Sequence, residues 1–411
     1  MDRPMGEQNT ILVIGATGNV GRHVVAQLHS EGTPVRALAR DPDAAALPDG
    51  VDVVRGDLTE PEGLAAALDG VHSVFLVWPF YSADTVAPVV AAVAAHARRV
   101  VYLSAHGAQD DGGAHNSFGA VELAIEATGL EWTFLRPVGF AANALGWAAD
   151  IRADRPVREP YAEAARSMIH ERDIAAVAVR ALTEDGHTGA KYLLTGPAAL
   201  TQTEQVRTIG EVVGRDARLE ELPREVAREQ MLPDWGDGAI VDGALDYWAS
   251  LVTDPEPVTD TVHEVTGTAA RSFADWAADH AAAFRPSTAE VAETYVAAFR
   301  ALDLERAMRV MSPEMVRVAP LETGGEHVEV RGIEDIMANA ERLTGDYDIH
   351  SVDVDGPYLA AERFAVRFTF DETYTPTGKR HSTTKMSLYT VADGSIVREE
   401  VHYFDEPQVV Q

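Results

Sequence analysis

Gly15, Gly18 and Gly21 stand three residues apart in Gly15-Ala16-Thr17-Gly18-Asn19-Val20-Gly21, directly behind the apolar run Ile11–Ile14. The run is too short for a buried helix, and a helical pattern opens right after the third glycine. A strand, a glycine turn and a helix in that order aim backbone N–H groups and a helix N-terminus at an anion. The chemistry that suits this spacing is the binding of a dinucleotide pyrophosphate. Gly15, Thr17, Gly18, Asn19, Val20 and Gly21 are the candidate contacts.

The next apolar run, Val35-Arg36-Ala37-Leu38-Ala39-Arg40, ends without a carboxylate. An acidic residue about 20 positions past the glycines would accept the ribose hydroxyls of NAD. Arg40 stands there instead and suits the 2′-phosphate of NADP through charge-assisted hydrogen bonds. The alternative is that Arg36 and Arg40 are solvated charges at a strand end. In Gly56-Asp57-Leu58, Asp57 is placed to contact the adenine or to cap the following helix. Val77-Trp78-Pro79 and Leu103-Ser104-Ala105 fall at the carboxyl ends of two further runs, the edge where open α/β sheets bind ligands.

The elements that must position these residues alternate between two periods. Strand-like runs at Ile11–Ile14, Val35–Leu38, Val51–Val54, Val74–Val77, Val100–Leu103 and Thr133–Leu135 are separated by Ala-rich helical segments. That alternation predicts βαβ units, hence an α/β, Rossmann-type doubly wound parallel sheet. A helix over Asp173–Leu182, with Asp173 as its N-cap, and a strand over Lys191–Leu194 follow. Residues 200 to 284 read as mainly helical, with loops at Leu232–Gly238 and Asp254–Asp260. Pro286 then breaks the pattern, and Ser287 or Thr288 can cap a new helix.

Beyond it the grammar changes. Val291, Tyr295, Phe299 and Leu302 make one apolar helical stripe, two short strands and a helix near Ile333–Leu343 come next, and long alternating segments follow. Asp355-Gly356 and Asp393-Gly394 are dipeptides of the kind that close antiparallel hairpins. The expected organisation is a dinucleotide-binding domain over 9–284 and an α+β domain with an antiparallel sheet over 287–406.

Composition narrows the setting. The 411 residues carry a formal net charge of −31, which argues against a nucleic-acid or anionic-membrane partner. There is no cysteine, so thiolate chemistry is excluded and a reducing cytoplasm fits. No stretch reaches the roughly 18 uninterrupted apolar residues of a membrane span. No zinc-ligand spacing occurs, so no metal is expected. Lysine is scarce: only Lys191, Lys379 and Lys385 are present among 34 basic residues.

The ordered set Gly15-x-x-Gly18-x-x-Gly21, Val35-Arg36-Ala37-Leu38, Gly56-Asp57-Leu58, Leu103-Ser104, Leu135-Arg136-Pro137 and Leu194-Thr195-Gly196-Pro197 resembles the NmrA-like branch of the atypical short-chain dehydrogenases/reductases, over about residues 10 to 284. The resemblance implies a Rossmann-type domain with a smaller substrate-facing part, and NADPH as cofactor. It implies either a reductase of quinones and ketones or a non-catalytic NADP sensor. It also brings Pro137, Gly139 and Phe140 to the nicotinamide. The wider superfamily uses a Tyr-x-x-x-Lys proton relay. The matching stretch here, His115 to Glu122, holds neither residue. Candidate donors in its place are His115, which lies nearest the missing pair, then His106, with Ser104, Tyr81 and Asn116. Trp78, Phe80, Asn143 and Trp147 are candidates to line a pocket for a flat apolar substrate, or are packing residues.

Residues 287 to 406 resemble the cone-shaped α+β fold, with its curved antiparallel sheet, shared by nuclear transport factor 2, ketosteroid isomerase and SnoaL-type polyketide cyclases. Tyr295-Val296-Ala297-Ala298-Phe299, Val330-Arg331-Gly332 and Asp393-Gly394-x-Ile396 to Tyr403-Phe404-Asp405 carry it. Tyr295 matches the isomerase's oxyanion donor. Its catalytic base corresponds to Ala319, before Pro320, and its second carboxylate falls near Met386. Isomerase chemistry is therefore not expected, and Met386 also speaks against cyclisation of the SnoaL type. Tyr295, Arg367, His381 and His402 are the candidate cavity residues, with Lys385 a further polar strand residue. The whole reads as a cytoplasmic homodimer that uses NADPH to reduce a bulky apolar carbonyl, enone or quinone in the biosynthesis of aromatic or polyketide-like metabolites. The alternatives are a redox sensor, and a bifunctional reductase with a cyclase- or dehydratase-type second domain.

Overall fold

The computed structural model describes residues 9–80, 82–108, 117–320 and 327–404, and it divides into two compact units. One holds residues up to 150 and 154–280; the other holds 151–153 and everything from 281 on. The chain begins β1 (Thr10–Ile14), α1 (Gly21–Ser30), β2 (Val35–Ala39), β3 (Asp52–Arg55), α2 (Leu64–Leu68), β4 (Val71–Val77), α3 (Val86–His96) and β5 (Arg99–Leu103). Next come α4 (Ser117–Glu126), β6 (Glu131–Pro137), α5 (Ala148–Arg152), β7 (Val157–Glu159), β8 (Ala165–Arg166), α6 (Glu171–Thr183) and β9 (Ala190–Leu194). The remainder of this unit is β10 (Leu200–Thr201), α7 (Gln202–Val213), β11 (Leu219–Glu221), α8 (Arg224–Trp235), α9 (Gly238–Ser250), α10 (Thr261–Thr266) and α11 (Phe273–Asp279).

Seven of these strands form one parallel sheet in the order β3-β2-β1-β4-β5-β6-β9. Its strands alternate in where they send side chains, and both faces are dry. Ile11 and Val13 pack with Val24, Val25 and Leu28 of α1 and Ile174–Leu182 of α6. Leu12 and Ile14 pack on the other face with Leu64 of α2, Val89 and Val93 of α3, and Val121 and Ile125 of α4. Burial on two sides explains why these strands read as continuous apolar runs. The amino edge of the sheet is closed by Arg99, buried at the start of β5, which donates to the carbonyls of Leu182 and Glu184 and to Asp185. The carboxyl edge stays available, and the strand order reverses between β1 and β4, which is where such sheets open a crevice.

Three expectations change. α6 is capped by His170, whose Nδ1 accepts from the Arg172 N–H at 3.2 Å, not by Asp173. Asp173, buried in the first turn, instead accepts from the backbone N–H of Arg271 at 2.7 Å and from its guanidinium. Leu232–Trp235 is helical, because α8 continues through Pro233 and stops at Gly236, whose φ of 72° is left-handed. The segment 200–280 also contributes small strands that pair with the body, β10 to β8 and β11 to β7.

The second unit comprises α12 (Ala281–Phe284), α13 (Thr288–Arg300), α14 (Leu304–Met308), β12 (Met311–Pro320), β13 (His327–Arg331), α15 (Ile333–Thr344), β14 (Tyr347–Ala360), β15 (Arg363–Tyr374), β16 (Lys379–Ala392) and β17 (Ser395–Tyr403). Ser287 and Glu290 build a reciprocal capping box at the start of α13. The sheet order is β13-β12-β17-β16-β15-β14; it is antiparallel except where β12 runs parallel to β17. Asp393 and Gly394 both take positive φ, 52° and 76°, and close the β16–β17 hairpin in two residues as expected. Asp355-Gly356 does not turn the chain. It lies inside β14 at a register shift opposite β15, and the hairpin closes past Ala360. Among the described residues no helix is long and apolar enough to cross a membrane.

Asp173→Ala should leave the part-buried N–H of Arg271 without its acceptor, at a cost of about 1–3 kcal/mol. The expected outcome is a lower urea midpoint with an unchanged slope, measured by circular dichroism against Asp173→Asn, which keeps one acceptor.

Candidate functional site

Three contacts explain the spacing of the glycines. Gly15 has a φ of +84°, and a Cβ there would lie 2.8 Å from Cβ of Val77 on the neighbouring β4. A Cβ on Gly21 would lie 2.1 Å from the carbonyl oxygen of Gly15, and one on Gly18 would lie 3.2 Å from it. The turn closes through the Gly18 N–H, which donates to the Gly15 carbonyl at 3.0 Å. Arg22 holds the loop from behind, its guanidinium donating to the carbonyls of Thr17 at 2.9 Å and Gly18 at 3.2 Å. Those carbonyls are thus drawn toward a cation, while α1 starts with no side-chain cap and no acidic residue in its first turn. Thr17, Gly18 and Asn19 are exposed at the tip, and Val20 is buried beneath it. A tight glycine turn at an uncapped helix N-terminus fits a pyrophosphate.

The other predicted cofactor residues follow along the carboxyl edge. Arg40 is exposed just past β2 and close enough to help lower the Asp57 carboxyl. Arg36 is not a solvated charge: it bonds Asp52 at 2.7 Å and the carbonyls of Ala67 and Asp69. Asp57 accepts from the N–H and hydroxyl of Thr59, at 2.9 and 2.8 Å, and these bonds hold its carboxyl below the usual range. It therefore caps a turn. Pro137 ends β6, and Gly139 and Phe140 follow it. A Cβ on Gly139 would lie 2.7 Å from the guanidinium of Arg166, so the strand end is pressed against the segment 166–169, to which Phe140 pairs through Ile169.

Of the predicted proton donors, Tyr81, His115 and Asn116 lie outside the described residues. His106 is exposed at the edge, its N–H donating to the Pro137 carbonyl. Ser104 is buried and its hydroxyl donates to Glu122 Oε1 at 2.5 Å. Glu122, on α4, is buried too and holds Arg136 of β6 through two bonds, at 3.0 and 2.5 Å. Ser104 is therefore tied into a buried ion pair that nothing in its local sequence discloses. Of the predicted pocket residues, Trp78 is buried, with its indole N–H donating to the Ser82 carbonyl and its ring edge-on to Phe80. Trp147 donates to Glu159 at 2.7 Å, and Asn143 is exposed. None of the four lines the cavity of about 180 Å³ bounded by Arg166, Met168, Leu200, Gln205 and Phe273. That volume is below what a drug-sized ligand needs, roughly 300 Å³ or more.

In the second unit the strand registers decide which residues meet. Tyr295 of α13 shares a core with Phe364, Val366 and Phe368 of β15 and Tyr389 of β16. Alternation from those residues puts Lys385, Ser387 and Tyr389 of β16 on the helix-covered face, along with Glu399 of β17 and His381. Arg367 pairs with Met386, and Met386 with His402, so these three belong to the opposite face. Of the four expected cavity residues only Tyr295 and His381 are on the same face. Arg367 instead pairs with Asp355 at 2.9 Å, and His402 is exposed.

The residue that the sequence reading missed is Glu399. It accepts from Ser387 at 2.8 Å and from Tyr389 at 3.0 Å, with Arg317 of β12 at 3.4 Å. Because Tyr389 gives its proton to Glu399, the 2.7 Å contact between the two tyrosines requires Tyr295 to donate to Tyr389. Burial pushes both phenols well above their ordinary range, and the charge of Glu399 adds to it. For Glu399 burial pushes upward, but Arg317, Lys385 and the two hydroxyl donors outweigh it and hold the carboxyl below its usual value.

The fold and the glycine cradle define a Rossmann-type nucleotide-binding protein. Residues 7–245 match the model of the NmrA-like family, and the chain belongs to that family. Residues 292–399 match the model of the SnoaL-like domain. A (4-alkanoyl-5-oxo-2,5-dihydrofuran-3-yl)methyl phosphate reductase of Streptomyces griseus is 39% identical over 286 residues, 67% of this chain and 99% of that enzyme. An NAD(P)H azoreductase of Xenophilus azovorans is 36% identical, over 67% of this chain and 99% of its own length. Among solved structures, the triphenylmethane reductase of Citrobacter sp. superposes with a TM-score of 0.56 at 22% identity, covering 66% of this chain and 99% of that one.

Glu399 carries the pH prediction. A carboxyl held low in the folded state stabilises it fully above the ordinary value near 4.5, and that contribution fades as pH falls through the lowered one. Glu399→Gln should be less stable at neutral pH and should lose less on acidification, read from urea midpoints of the second unit between pH 3 and pH 7.

Proposed function

We propose that the first unit binds NADPH along its carboxyl edge and reduces a bulky apolar carbonyl, enone or quinone. The observation that carries this reading is the glycine turn at Gly15–Gly21, closed where a Cβ on Gly15 or Gly21 would clash, together with the exposed Arg40. The cradle offers N–H donors to the pyrophosphate, and the Arg40 guanidinium is the group for the 2′-phosphate. Bound NADPH supplies the hydride.

The chain's own residues limit what acceptor would work. α4 reads SFGAVELAIE, without the tyrosine and lysine of the usual relay, and the Ser104 hydroxyl is held by Glu122. An acceptor whose added electron pair is spread over neighbouring carbonyls needs no acid at the moment of transfer. The furanone of the Streptomyces relative is, by its name, an alkene with two carbonyl groups on one of its carbons, and the azo substrate named for another relative and the quinone named for a solved structure of similar fold are likewise conjugated. Water, or the exposed His106, then delivers the proton. The SnoaL-like match supports placing the reaction in the biosynthesis of aromatic or polyketide-like metabolites.

A second reading, a sensor that binds NADP(H) without turnover, is favoured by the same missing relay.

Two measurements test this. Arg40→Ala should weaken NADPH binding about 10- to 100-fold while leaving NADH within about threefold, since a charge-assisted bond contributes roughly 1.5–3 kcal/mol. Equal losses for both cofactors would remove Arg40 from the 2′-phosphate. Steady-state NADPH oxidation with quinones, doubly activated alkenes and simple ketones should show turnover on the first two classes, with simple ketones lowest. Tight NADPH binding with no acceptor turned over would favour the sensor.

A further inference from the structure

The helix-covered face of the second sheet holds a lysine whose amine meets aromatic rings. Lys385 stands in β16 opposite Phe368 of β15 and Tyr403 of β17. Its Nζ lies 5.1 Å from the ring centre of Phe368 and 5.4 Å from that of Phe370. Among the described residues the amine has no hydrogen bond and no ion pair; of the carboxylates on this face, Glu399 is met by Arg317, Ser387 and Tyr389, and Glu372 by Thr383 and His381. The other two lysines differ from it: Lys191 is paired with Glu126, and Lys379 is exposed at the start of β16. Lys385 is half-buried as a residue and stands next to the half-open Tyr403.

From this arrangement we propose that Lys385 is the nucleophile of a second site, in which its amine condenses with an aldehyde or ketone to form an imine. An amine that is desolvated by aromatic walls and lies near another cation is more often neutral, and a neutral amine is the nucleophile. Burial pulls Lys385 below the ordinary lysine value, and the positive charge of Arg317 adds to that effect; Glu399 and Glu372 oppose it. Tyr389 and His381 on β16, Tyr403 on β17 and Tyr295 on α13 are further titratable groups on this face.

In the step itself Nζ forms a bond to the carbonyl carbon, and the carbonyl oxygen leaves as water with the two protons of the amine. The product is a C=N bond, with no oxidant or reductant required. With a 1,3-dicarbonyl compound one proton then moves from the carbon between the carbonyls to nitrogen, giving a conjugated enaminone that absorbs in the near ultraviolet. Phe368 and Phe370 would flank such a planar product.

The test uses the full chain and 2,4-pentanedione, followed by difference absorbance and peptide mass mapping. The expected result is one enaminone per chain, located on the Lys385 peptide, with Lys191 and Lys379 unmodified. Its rate should rise with pH and reach half-maximum below 10.5, the ordinary lysine value. Lys385→Arg should slow labelling at least about 100-fold, because a guanidinium stays protonated. Lys385→Met should abolish it, with the thermal midpoint of each variant reporting that it folds. Labelling spread evenly over the three lysines overturns the proposal. So does labelling retained in Lys385→Arg, or binding of the diketone with no covalent product.

Discussion

The distance from Gly21 to the carbonyl of Gly15 leaves no room for a single carbon atom, and the rest of the first unit is arranged around that contact. It fixes the angle at which α1 leaves β1, and so which face of α1 meets Ile11 and Val13. Gly15 in turn lies against Val77, which ties the turn to β4 at the one place where the strand order reverses. The crevice and the cradle are thus set by the same two close approaches. Arg99 at the far edge completes the asymmetry, since it spends its donors on carbonyls and carboxylates where no ligand is expected. One edge of the sheet is consumed by the protein's own hydrogen bonds, and the other is left with donors to spare.

What the sequence disclosed and what it hid divide along a physical line. The cradle was legible because most of its requirement for glycine is local: the positive φ of Gly15 and the contact of Gly21 with the Gly15 carbonyl act within seven residues, and only the contact with Val77 is distant. The doubly wound sheet was legible because burial on both faces writes continuous apolar runs. The hairpin at Asp393-Gly394 was legible for the same local reason, yet the identical dipeptide type at Asp355-Gly356 failed, because a long strand absorbed it as an irregularity in register. Asp173 looked like a cap by its neighbours, but its partner is Arg271, ninety-eight residues away.

The charged groups were the least legible. Ser104, Glu122 and Arg136 come from three elements, and only the order β5-β6 with α4 across them makes them one network. In the second unit the question is one of parity. Met386 and Lys385 are neighbours in sequence and opposite in direction, so a carboxylate sought near Met386 was sought on the wrong face. The carboxylate that faces Tyr295 comes from β17 instead, and no spacing rule connects positions 295, 317 and 399.

The position of β17 has a consequence for how the chain comes to be folded. β17 is the last of its sheet's strands in sequence, yet it lies between β12 and β16, in the interior of the strand order. During synthesis the parallel sheet of the first unit has all its strands by residue 194, whereas the second sheet stays in two separate pieces until its final strand arrives. That strand also brings Glu399, so Arg317 waits without its counter-charge for the whole interval. The nascent second unit is therefore an interrupted sheet with exposed edges on both sides of the gap, the state most open to pairing with a neighbouring chain.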